Sequence, residues 1–85
     1  SPLKPVHELT ADVFLASGDY EKAAELYEAS LRRMANRPRA LLGAARSYAG
    51  LGDNYNARLN YQAFYTLWND DNLAEVQEAK TYLRL

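Results

Sequence analysis

Laid against itself at an offset of 34 residues, the chain repeats at the positions where helical hairpins have to repeat. Residues 4–37 then fall on 38–71. Ala11 meets Ala45, Gly18 meets Gly52, Asp19 meets Asp53, Ala23 meets Ala57, Tyr27 meets Tyr61 and Ala29 meets Ala63, while Phe14 meets Tyr48. A second shift lays 72–85 on 38–51, where Ala74, Ala79, Tyr82 and Leu85 match Ala40, Ala45, Tyr48 and Leu51. The matches are small residues, rings and a Gly-Asp turn. A period of this length marks one supersecondary unit that buries its apolar face only against its neighbours. The chain therefore reads as one domain: a repeat over 4–37, a repeat over 38–71, and 72–85 as a capping helix or the start of a third repeat.

Each repeat reads as two helices, and the spacing predicts five over 5–17, 20–35, 38–51, 54–68 and 72–84. Pro5 and Pro38 suit first turns, where a missing N–H costs little. Gly18 and Gly52 suit helix ends, which favour a left-handed residue, and Asp19 and Asp53 suit the caps that follow. Val6, Leu9 and Val13, beside Phe14, give the first helix an apolar stripe at helical spacing. The expected buried side of the second helix is Ala23, Leu26, Tyr27, Ser30, Leu31 and Met34. Leu41, Ala44, Ala45 and Tyr48 serve the third, and Ala57, Tyr61, Phe64, Tyr65 and Trp68 the fourth. Asp70-Asp71-Asn72 reads as a loop, with Asn72 and Glu75 at capping-box spacing. Val76, Ala79, Tyr82 and Leu83 line the fifth.

Several functions are excluded by composition. Ten Lys and Arg stand against eleven Asp and Glu, a formal net charge of −1, without the basic excess that nucleic-acid binding uses. There is no cysteine, so disulfides, thiolate metal sites and thiol nucleophiles are absent. No apolar run approaches the ~18 residues of a membrane span, and the expectation is a soluble, cytoplasmic protein. A start at Ser1 without methionine reads as an excised or processed piece of a longer chain. His7, the single histidine, has no cysteine or acid arranged with it for catalysis and reads as a packed or surface residue. Asp70 and Asp71 lack the spacing of a calcium loop. The expectation is no enzyme activity, no cofactor and no metal.

The 34-residue period, the Ala11/Phe14, Ala45/Tyr48 and Ala79/Tyr82 pairs, the Ala23/Tyr27 and Ala57/Tyr61 pairs and the two Gly-Asp turns resemble the tetratricopeptide-repeat (TPR) family. The resemblance covers nearly the whole chain. It departs at the family's Trp slot, held here by His7, Leu41 and Glu75, and at the slot shared by Ser30 and Phe64, where Phe64 points to an altered contact against the last helix. The resemblance implies an all-α, right-handed stack of antiparallel helix pairs, a TPR-like α-solenoid of five helices. It also implies core positions for Tyr27, Tyr48, Tyr61 and Tyr82.

In such stacks the first helix of each pair lines a concave groove that receives a peptide or protein. Carried over, the groove residues are Glu8, Asp12, Leu42, Arg46, Val76 and Lys80. The expectation is an apolar floor at Leu42 and Val76, a rim at Arg46 and Lys80 for an acidic partner, and cross-helix pairing of Asp12 with Arg46. The family's clamp for chaperone C-termini is absent, because its slots hold Glu8, Asp12, Gly43, Leu73 and Gln77. Arg32, Arg33, Arg37 and Arg39 form a basic cluster that either complements a helix end or meets an acidic partner. Two functions remain: a protein–protein interaction module, or a structural stack that packs on its parent protein or self-associates through its terminal helices.

Overall fold

Gly18 and Gly52 both take the left-handed backbone that ends a helix, with φ of +84° and +76°. After each comes an aspartate whose side chain caps the next helix: Asp19 accepts from the Lys22 N–H and Asp53 from the Asn56 N–H. These two-residue turns make the successive helices double back on one another. In the computed structural model, which describes residues 6–85, five helices follow: α1 (Val6–Ser17), α2 (Tyr20–Arg33), α3 (Pro38–Gly50), α4 (Asn54–Leu67) and α5 (Ala74–Leu83). Among the described residues there is no strand. Each helix packs on its successor, and α1 also touches α3. The chain is thus an all-α stack, and the helix limits agree with the sequence reading to within about two residues. Pro5 lies outside the described residues.

The central helix is α3, and its small residues make that place possible. Ala40 and Ala44 pack into one core cluster with Ala11, Ala23 and Tyr27. Leu41, Leu42 and Ala45 pack into a second with Tyr61, Phe64, Val76, Ala79 and Leu83. Leu31 reaches both clusters and links them. Gly43 is buried in α3 beneath the Tyr27 ring, so close that a Cβ there would lie 2.2 Å from Cζ.

Ser30 and Phe64, 34 residues apart, behave differently. Phe64 is fully buried in the cluster that includes α5, as its bulk implied, with Trp68 edge-on at 5.6 Å. Ser30 is equally buried, but its hydroxyl has no hydrogen-bond partner. A buried unsatisfied hydroxyl costs ~1–3 kcal/mol, and alanine is the better helix former. Ser30→Ala is therefore expected to raise stability by about 1 kcal/mol in urea unfolding. A loss of that size would show that the hydroxyl is in fact satisfied.

Three expectations are corrected. The stripe of α1 faces outward: Val6, Leu9 and Val13 are 77%, 51% and 67% exposed, while Glu8 and Ala11 on other faces are fully buried. Helical spacing shows that apolar residues share a face but not that a neighbour covers it, and α2 and α3 cover a different one. Met34 lies beyond the last turn of α2 and is exposed. Asn72 does not cap α5, which begins after Leu73 without a side-chain cap. Instead Asp70 accepts from the Asn72 N–H, closing the loop one residue earlier than a cap would need.

Candidate functional site

A cleft of about 240 Å³ opens between α1 and α3. Asp12, Leu15 and Ala16 form its α1 wall, Arg39, Leu42, Gly43 and Arg46 its α3 wall, and Tyr27 of α2 lies between them. Asp12, Arg46 and Lys80 occupy one slot 34 residues apart, as do Glu8, Leu42 and Val76. The first set lies near the surface and the second in the core.

The six predicted groove residues are divided accordingly. Asp12, Leu42 and Arg46 line the cleft. Glu8 and Val76 are fully buried and Leu42 is 1% exposed, so the expected apolar floor is core rather than open surface. Lys80 does not line the cleft and pairs with Asp71 at 3.2 Å. The predicted pairing of Asp12 with Arg46 does not form. The Arg46 guanidinium forks onto Glu78 of α5, with Nε and Nη2 at 2.9 and 2.6 Å from its two oxygens. Asp12 accepts the Tyr27 hydroxyl hydrogen bond instead. Replacing Asp12 by Arg46 in the repeat removes the acceptor for the next ring. Glu78 supplies it, accepting from Tyr61 at 2.7 Å while it holds Arg46.

The Arg32–Arg39 cluster separates in the same way. Arg37 donates from Nε and Nη2 to the two oxygens of buried Glu8, at 2.9 and 3.1 Å, and so compensates a carboxylate in a core slot. Arg39 pairs with Glu75 at 3.1 Å. Arg32 and Arg33 are exposed in the last turn of α2, where cations complement the helix dipole. The cleft's two arginines are thus each bridged to a glutamate of α5, and an incoming carboxylate has to compete for them.

The ring slots hold more than packing. Tyr27 and Tyr61 are buried, and Tyr48 and Tyr82 half-buried. Their hydroxyls donate to Asp12, Glu78, Glu28 and Asn54 respectively. Burial, reinforced by the adjoining carboxylates, pushes Tyr27 and Tyr61 far above the usual tyrosine range and Tyr48 up to about 12. Burial also raises the Glu78 carboxyl, but the hydrogen bonds from Arg46 and Tyr61 outweigh it and hold its pKa below the usual value. Around neutrality Tyr27 and Tyr61 therefore stay protonated and Glu78 ionised.

Sequence reasoning missed Glu75 and Glu78 as partners of the α3 arginines, and Tyr27 as a wall of the cleft. No local pattern signals ion pairs 32 and 36 residues apart. Tyr27 could have been found from Gly43, since a glycine within a helix often admits a neighbouring ring. Among the described residues, no group of three or more acidic, histidine or cysteine side chains is placed to hold a metal ion, and no helix is long and apolar enough to cross a membrane. No family model, no curated protein and no solved structure matches the chain.

Proposed function

We propose that the chain is a protein–protein interaction module of the TPR type, which receives a short peptide segment in the cleft between α1 and α3. The observation that carries this reading is the cleft itself, set between the first helices of two consecutive repeats. Its walls combine apolar surface at Leu15 and Ala16 with polar groups of both signs, the mixture that fixes a peptide's register while burying its side chains. The arginines are half-exposed and already paired, with Arg39 and Arg46 side chains 46% and 37% accessible. Apolar insertion therefore supplies most of the affinity. Carboxylates on the peptide act mainly by exchanging with Glu75 and Glu78, so salt affects binding modestly.

Selection of random short peptides on the immobilised protein, followed by amide chemical-shift mapping, tests the reading. Selected peptides are expected to move the amides of Leu15, Arg39 and Gly43, and Ala16→Glu, at an exposed position of the cleft wall, is expected to weaken their binding while leaving the helical circular dichroism intact. Arg46→Glu is not a usable probe, because it sets a second carboxylate against Glu78. Shifts confined to α4 and α5, or an unaffected Ala16→Glu variant, would move the site away from the cleft.

A further inference from the structure

The two ends of the stack carry apolar surfaces of opposite shape. At one end, Val6, Leu9 and Val13 project from α1, all more than half exposed. One repeat later their counterparts are Ala40, Gly43 and Ser47, all buried in α3 on the face where the Tyr27 ring lies on Gly43. The α1 stripe is therefore the face that a packed helix covers on α3. It differs in bulk: Val, Leu and Val replace Ala, Gly and Ser, so the surface is a ridge onto which no ring can settle, and a ridge requires a trough. At the other end, a trough of about 280 Å³ lies between α4 and α5, lined by Tyr55, Arg58, Leu59, Gln62 and Leu83. Tyr55 and Leu59 are 72% and 51% exposed.

From this pairing we infer that the chain associates with itself head to tail, the α1 ridge of one copy seated in the α4–α5 trough of the next. The lengths agree. Val6 to Val13 and Tyr55 to Gln62 each span eight residues of helix, seven steps and about 10 Å at ~1.5 Å per step. The charges agree as well. The ridge carries none, the trough's one charged lining residue is Arg58, and α1 has no Lys or Arg to repel it. A single molecule cannot join its own ridge and trough, because α1 packs on α2 and α3 while α5 packs on α4. Such a heterologous contact grows as an open chain of copies, and one ridge of three side chains makes it weak. The ridge and the trough share no lining residue with the α1–α3 cleft, so failure of the self-association leaves the peptide-binding reading intact.

Sedimentation of the 85-residue chain is the test. Its average mass is expected to rise from 9.6 kDa at about 10 µM to at least twice that at about 1 mM. Leu9→Lys and Leu59→Lys are each expected to remain monomeric at the higher concentration with unchanged helical dichroism, since both positions are exposed. Mixed together they are expected to form a dimer, because each retains the surface that the other has lost. A wild-type chain that stays monomeric overturns the inference, as does a mixture that fails to dimerise. Continued dimerisation of Leu59→Lys alone would also overturn it, since that is a symmetric α1–α1 contact. If a lysine variant unfolds, Val13→Ser and Tyr55→Ser repeat the same mixing experiment.

Discussion

Gly43→Ala is expected to destabilise the fold by about 2 kcal/mol, although the same change in an open helix stabilises by ~1 kcal/mol. The added Cβ would stand 2.2, 2.4 and 2.7 Å from Cζ, Cε1 and Cε2 of Tyr27. That ring is 1% exposed, and its hydroxyl is tied to Asp12, so it cannot retreat without losing a hydrogen bond and its place among Ala11, Ala23 and Ala44. The clash outweighs the propensity gain. Urea unfolding and thermal melting measure it, and a loss of this size lowers the Tm of a domain this small by roughly 10 °C. The decisive measurement is the sign in a second background. With Tyr27→Leu the ring is gone, and Gly43→Ala should then become neutral or stabilising. If Gly43→Ala costs the same in both backgrounds, ring contact is not the reason for the glycine.

Gly43 also shows which parts of the structure were legible. The Gly-Asp turns could be read because a left-handed glycine followed by a capping aspartate is a local signal, settled within a few residues. The core alanines could be read because the 34-residue shift brings Ala11, Ala45 and Ala79 to one slot, and all three are fully buried. Neither the shift nor the periodicity of α1 gave its buried face. Val6, Leu9 and Val13 look like a core stripe when the helix is read alone. Compared slot by slot, Glu8 falls with Leu42 and Val76, which the resemblance places together along an open groove; all three lie in the core instead. What no shift reveals is how the exceptions are compensated. Glu8 finds Arg37 across 29 residues, and Arg46 finds Glu78 across 32. These partners come from different elements, and long side chains reach them only once the stack has formed. The candidate cleft inherits this limit: three of the six residues read from the sequence line it, and the neutralisation of its arginines was not legible at all.

Raising the pH is expected to unfold the protein steeply between about pH 10 and 12, with three tyrosines responsible. Tyr27, Tyr48 and Tyr61 each donate to a carboxylate, on Asp12, Glu28 and Glu78 respectively. Burial first, and then those carboxylates, disfavour the phenolate in the folded state. In the unfolded chain the same groups titrate near the ordinary value of ~10. The sign follows from the direction of the shifts. Below pH 10 both states keep the protons, and the stability associated with these groups is fully present. Above it, the unfolded chain releases three protons that the folded chain retains, and stability falls as the pH rises toward the folded values. Arg46 lies near both Tyr27 and Tyr61 and stabilises their anions, but it is already engaged by Glu78 and does not reverse either shift. Three protons correspond to a loss of up to roughly 4 kcal/mol per pH unit, enough to exhaust a domain of this size within about two units. Urea midpoints measured from pH 8 to 12 give the slope, and phenolate absorbance followed alongside shows whether ionisation and unfolding coincide. Tyr48→Phe and Tyr61→Phe should each reduce the slope by about one proton. If all seven tyrosines ionise near pH 10 with the helices intact, or if neither Phe variant changes the slope, the hydroxyl–carboxylate pairs do not hold these rings neutral.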